Sequence, residues 1–411
     1  MMRCRRIAWM QTVLAVALFA ATGRGEDLDQ LAGWFEKKGA ELVNRAARTV
    51  TNGVELVVYR PQTSDFYDGT WLRDYEMMVE ARLIDESRLR PCAKLFFDAV
   101  TPDGVGVDNI RYDGEVVFIP RQKPRRSIRP VLDGSVYTVC LIYETWKQTG
   151  DGRYLEPATL DKLAKCLAAT PHDPKNGLAW IDPAIEWERC PWGFTDTVRK
   201  KGDCLYTSLL EIRARRSFAD MLRAAGRAAE SLRELEASRR LSAAVNEVFW
   251  DEPFGLYRAA TALCTQRDVW GSAYAVWLDV APAARADRIA RYFRDHYGEI
   301  VQCGQIRQMP AGEWWDQTLL GRKDFCQNGP FWGTATGWFC WALERVDPGL
   351  VDRTYNDLVT DYRTRGVCEW SIGDHVSNCD YLANVALPLQ GLRRIIAARR
   401  LKSGEKGDRI P

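Results

Sequence analysis

The chain has 411 residues, 46% of them hydrophobic, enough for one large domain or two small ones. Its 57 Lys and Arg against 55 Asp and Glu leave a formal charge of +2, which argues against a nucleic-acid or anionic-membrane binder. The three histidines (His172, His296, His375) are scattered and no Cys-x-x-Cys occurs, so neither a metal nor a cofactor is expected.

Residues 1–25 read as a signal peptide. Arg3, Arg5 and Arg6 precede an apolar run from Val13 to Ala21, followed by small residues at Gly23 and Gly25. The run is short for a membrane span, so a secreted or periplasmic chain, free of the membrane after cleavage, is expected. Cleavage removes Cys4 from twelve cysteines and leaves an odd number, so at least one thiol is free or pairs between chains. Cys140, Cys166 and Cys340 fall in apolar helical patterns and are expected inside, whereas loop cysteines such as Cys368 and Cys379 are placed to pair.

Helical periodicity then recurs twelve times, at about 27–47, 71–85, 88–100, 134–149, 156–169, 203–226, 228–248, 270–280, 284–296, 331–345, 348–363 and 380–399. Segments two and three, four and five, six and seven, eight and nine, and ten and eleven are joined by a few residues. Thr149-Gly150-Asp151-Gly152 and Asp347-Pro348-Gly349 supply typical turn chemistry there. The other connections are long. Val105 to Pro120 alternates around Asp113-Gly114 as a small β-hairpin. Stretches 170–202, 297–330 and 364–379 are rich in Gly, Pro, Trp and acids, and loops of that length in a compact domain are usually functional. The expected fold is all-α, an (α/α)6 toroid of six helical hairpins over 26–401, with a polar tail at 402–411. A two-domain bundle or a solenoid is the alternative, and the lack of a repeated sequence weighs against the solenoid. In such a toroid every second connection emerges on one face, so the long loops would meet.

Four loop clusters carry the chemistry. Trp71 can stack on a sugar ring while Arg73 and Asp74 grip adjacent hydroxyls, or Arg73 and Asp74 form a local salt link at a helix start. Glu186-Trp187-Glu188 through Trp192 to Asp196 sets acids among aromatic rings, where lost hydration favours a protonated general acid. Asp196 leads there, Glu186 and Glu188 are the rival acids, Arg199 could instead hold Asp196 ionised, and Trp192 is a stacking candidate. A plain turn or cap role for Asp196 is the rival reading. Glu313-Trp314-Trp315-Asp316, ahead of Phe331-Trp332, reads as walls of a sugar subsite with Glu313 an alternative catalytic acid, or as a loop folded on its own aromatic core. Gly366 to Asp374 places Glu369 as general base, with Asp374 second. A carboxyl pair about 6.5–9.5 Å apart would invert and one about 5–5.5 Å apart would retain configuration.

These residues resemble the six-hairpin glycosidases, the group that includes glucoamylases and trehalases. Trp71-x-Arg73-Asp74 looks like the sugar-gripping motif of glucoamylase-type enzymes. Arg129 to Ser135 with Thr149 to Leu155 is similar to the group's second hairpin, and Gly366-Val367-Cys368-Glu369-Trp370 resembles the segment that supplies the base in trehalase-like members. The resemblance implies an inverting hydrolase acting on α-glycosides, with an oligosaccharide or small glycoside as substrate. The trehalase glycine-rich opening signature is absent and their Gln-Trp-Asp segment is matched only in part, which argues against trehalose. A polysaccharide lyase using the basic run Arg121 to Arg129, a sugar epimerase, and a non-catalytic sugar-binding toroid are the competing functions. Epimerases rely on paired histidines, whereas His172 and His375 lie in separate loops.

Overall fold

The computed structural model describes residues 25–51, 55–118, 131–185, 195–319 and 321–404. The signal-peptide reading of 1–25 (Gly25 apart), the Arg121–Arg129 run, Glu186, Trp187, Glu188, Trp192 and the tail beyond residue 404 lie outside them.

Twelve helices of eight or more residues occur among the described residues: α1 (Leu28–Ala46), α2 (Leu72–Glu80), α3 (Glu86–Asp98), α4 (Gly134–Thr149), α5 (Pro157–Ala169), α6 (Leu205–Ala224), α7 (Ala228–Val248), α8 (Val269–Trp277), α9 (Ala283–Asp295), α10 (Thr336–Leu343), α11 (Pro348–Arg365) and α12 (Ala383–Ser403). Local chemistry starts and stops them. Asp27 forms a capping box with Gln30, and Asp268 and Asp347 accept from the backbone N–H of Gly271 and Leu350. Pro348 opens α11, and Gly150, at φ +62°, closes α4 in the left-handed region.

The even-numbered helices contact one another in a closed ring, α2 to α4, α6, α8, α10, α12 and back to α2, and the odd-numbered helices pack outside it. Sequence explains the division. All nine residues of α8 are buried, as an inner helix with neighbours on every side requires. On α9, by contrast, only Ala286, Ile289, Ala290 and Phe293 are buried, the single apolar stripe of an outer helix. Gly337 of α10 and Gly391 of α12 meet backbone to backbone, and a Cβ on either would collide with the other helix.

Small antiparallel sheets decorate the toroid. The hairpin read in 105–120 is present as Asn109–Arg111 with Val116–Val117, joined by Gly69–Trp71 as a third strand. Five short strands, Val301–Gln302, Gln305–Arg307, Phe331–Trp332, Cys368–Ile372 and His375–Cys379, form one sheet across the long late loops. The helix read from 331 therefore starts only at Thr336, because Phe331 and Trp332 are paired with Arg307 and Ile306. Cys368 and Cys379 form a disulfide, and Cys140, Cys166 and Cys340 are buried and free. No helix among the described residues is long and apolar enough to cross a membrane.

Candidate active site

The N-terminal ends of inner helices α2, α8, α10 and α12 border one cavity with an empty volume of about 580 Å³, its open mouth included. Three carboxyls line it, Asp74, Asp196 and Glu369, together with Trp71, Trp270, Trp332, Tyr67, Tyr381 and Arg73.

Each carboxyl is held differently. Asp74 sits in the first turn of α2 and accepts from Tyr381 Oη at 2.9 Å. Burial pushes it up to about 6, against the opposing pull of Arg73 and Tyr381. Glu369 is on the Cys368–Ile372 strand, with Asn378 Nδ2 donating to Oε2 at 2.5 Å and Tyr67 Oη to Oε1 at 3.4 Å. Burial raises it to about 7; the Asn378 donor lowers it, and the nearby charges of Asp196 and Asp74 raise it. Asp196 accepts from Gln327 Nε2 at 3.3 Å. The Gln327 amide is oriented by the backbone N–H and hydroxyl of Thr197, which both donate to its Oε1.

Burial, and then the charges of Glu369, Asp74 and Asp196, hold Tyr67 well above the usual tyrosine range, so it stays a neutral donor. Arg73 has a structural duty as well as a place in the cavity. Its Nη1 donates to Asp108 at 2.8 Å and to Asp133 at 3.5 Å, and although burial opposes the charge these two carboxylates keep it firmly protonated. Its anchor is therefore this buried pair rather than a salt link confined to the helix start.

Other sequence candidates fall elsewhere. Glu313 is ion-paired with Arg267 and does not line the cavity. Asp374 is exposed in the turn between the last two strands. Trp314 donates to Asp324 and lies under Lys323, while Asp316 is exposed and accepts from Gln266. Trp315 is buried with Val198, Ala259, Cys264 and Met309, and its Nε1 is satisfied by Gln308 and the Gln327 carbonyl. Trp315 thus belongs to a small core shared with the Val198 and Ala259–Cys264 segments, and none of the four residues 313–316 lines the cavity. The loop still serves the site. Thr318 bridges to Val198, Gln317 O accepts from Arg199 N, and Leu319 N donates to Thr197 O, so this loop buttresses the segment carrying Asp196. Among the described residues no group of three His, Cys, Asp or Glu is placed to hold a metal.

No family model matches the chain, and no curated protein matches it in sequence. Solved structures do match its shape. A rhamnosidase from Klebsiella oxytoca with rhamnose bound aligns at 14% identity and a TM-score of 0.56, over 88% of this chain and 64% of that one. A GH63 mannosylglycerate hydrolase from Thermus thermophilus in complex with glucose aligns at 14% identity and 0.61, over 87% of this chain and 99% of that one. A GH78 rhamnosidase of Bacillus sp. GL1 gives 14% and 0.59, over 90% of this chain and 35% of that one. The fold that these structures share with the chain is the (α/α)6 toroid. The chain spans less than two thirds of the length of either rhamnosidase.

Tyr67, Trp270, Gln327, Asn378 and Tyr381 were not singled out from sequence. One signal was available: in a toroid whose inner helices all start at the same face, the polar aromatic immediately before α12 and the ring at the head of α8 belong to that face.

Proposed function

We propose that this chain is a glycoside hydrolase that cleaves an α-linked glucoside or related α-glycoside with inversion of configuration. The observation that carries the reading is the meeting of Asp196, Glu369 and Asp74 with three tryptophans in one cavity at the mouth of the ring. The shared fold supports it, since the aligned structures are described as glycosidases and two of them hold rhamnose or glucose.

Asp196 is the general acid. It protonates the leaving oxygen as the bond to the anomeric carbon breaks. Glu369 is the general base and takes a proton from the water that attacks the opposite face of the sugar. Both of its oxygens accept hydrogen bonds, from Asn378 and Tyr67, an arrangement that favours the ionised form. Trp71 and Trp332 supply ring surface for the sugar, and Arg73 and Asp74 supply donors and an acceptor for its hydroxyls. Export through the 1–25 segment to the periplasm or medium belongs to this reading, and the Cys368–Cys379 disulfide accords with an oxidising compartment.

A panel of aryl α- and β-glycosides, with released sugar followed over time, tests the proposal. Hydrolysis of an α-glycoside is the expected result. Sugar binding seen by tryptophan fluorescence, with no hydrolysis across the panel, would instead make the chain a binding toroid.

A further inference from the structure

The last two strands of the sheet pair Cys368 with Cys379 and Trp370 with Ser377, which leaves Glu369 and Asn378 on the rung between them. The disulfide therefore ties the two strands one residue away from both partners of the 2.5 Å hydrogen bond to Glu369 Oε2. Among the described residues His375–Cys379 is the edge strand of the sheet. Edge strands open more readily than central ones, and the cross-link closes this one covalently.

The backbone under Glu369 has a separate anchor. Asn384, fully buried at the start of α12, donates to the carbonyls of Cys368 at 2.7 Å and Glu369 at 3.0 Å, and its Oδ1 accepts from Thr334 at 2.6 Å. That anchor holds the main chain but not the carboxylate. The carboxylate is held by Asn378, whose backbone adopts φ +51°, a left-handed conformation that asparagine tolerates better than most residues.

We propose that Asn378 is the positioning residue of the Glu369 base and that the Cys368–Cys379 disulfide keeps it in place. The inference rests on the reading of Glu369 as base given above. The groups facing Glu369 are Asp74 on α2, Asp196 on its loop, Tyr67 ahead of α2 and Tyr381 ahead of α12. Two of these are carboxyls whose charge opposes ionisation, so the Asn378 donor is the main local group that favours it.

The test is the titration of Glu369 in the whole protein, read by NMR of 13C-carboxyl-labelled glutamate. Its resonance is identified as the one missing from Glu369→Gln. In Asn378→Ala the midpoint is expected to rise by about one to two pH units, and the acid limb of kcat/KM should move with it. The Cys368→Ser/Cys379→Ser double variant, and the wild type reduced with dithiothreitol, should shift in the same direction. In that reduction each sulfur gains one electron and one proton from the dithiol, which closes to a cyclic disulfide. Cys303→Ser, which removes an exposed free thiol elsewhere, should leave the midpoint alone. Helical circular dichroism reports whether each variant folds, and reduction of the folded wild type needs no variant. An unchanged Glu369 midpoint in both Asn378→Ala and the reduced protein would overturn the proposal. A shifted midpoint in a protein that hydrolyses no glycoside would uphold the clamp and overturn the hydrolase reading.

Discussion

Asp74 and Glu76 lie two residues apart on α2, both are buried, and burial raises both carboxyls, to about 6 and about 8 respectively. Asp74 faces the cavity and shares it with Asp196 and Glu369. Glu76 faces Arg213 at 2.6 Å, and the same guanidinium also meets Glu80 at 3.1 Å and Glu144 at 3.7 Å. A perturbed carboxyl is thus common to both clusters and distinguishes neither. The difference is what each acid faces. One group has space for a ligand and rings to hold it; the other has a buried cation that keeps the inner helices α2, α4 and α6 in register.

Perturbing the two clusters should therefore give opposite outcomes. Glu369→Gln is expected to have the largest effect, a loss of turnover of roughly 10²–10⁴-fold with the helical circular dichroism intact. Because the base works ionised, wild-type kcat/KM should climb as pH rises through about 7, the value to which burial lifts Glu369. The same shift sets a stability signature. A carboxyl raised from 4.5 to about 7 in the fold contributes stability that is fully present below about 4.5 and is lost as pH rises through about 7. Glu369→Gln escapes that loss, so its melting temperature should gain on the wild type across this window, as scanning calorimetry would show.

Asp196→Asn comes next. Its penalty should be large for alkyl glycosides and much smaller for dinitrophenyl glycosides, whose leaving group needs no proton; an equal penalty on both would remove Asp196 from the acid role. Trp71→Ala should raise KM on the order of tenfold, about 1.4 kcal/mol, with a smaller change in kcat. At the far end, Glu76→Gln should leave kcat/KM where it was. Its carboxyl is the 2.6 Å partner of the buried Arg213, so the variant should instead melt below the wild type at neutral pH. A kinetic defect in Glu76→Gln would collapse the distinction between the clusters.

The toroid was legible in the sequence because helices announce themselves over many residues. Stripes such as Ala286, Ile289, Ala290 and Phe293 on α9, and turns such as Thr149-Gly150-Asp151-Gly152, mark hairpins without reference to the rest of the chain. The five-stranded sheet was not legible, since strands of two to five residues are too short to carry a period. Within the site, Asp74, Asp196 and Glu369 stood out as acids beside aromatic residues in long loops. Their partners did not. Tyr67 meets Glu369 across 302 positions and Tyr381 meets Asp74 across 307, contacts that exist only once the ring has closed. The 313–316 cluster misdirects for a related reason. Its rings and acids look like a sugar wall, yet none of the four lines the cavity, and Trp315 is buried against Val198 with its Nε1 satisfied by Gln308 and Gln327.

The most direct measurement is proton NMR of the first sugar anomer released from an α-glycoside by the wild-type protein. A water activated by Glu369 on the face opposite Asp196 predicts the β-anomer first, followed by slow mutarotation. First release of the α-anomer would mean a covalent sugar intermediate and would contradict the assignment of Glu369 as a base.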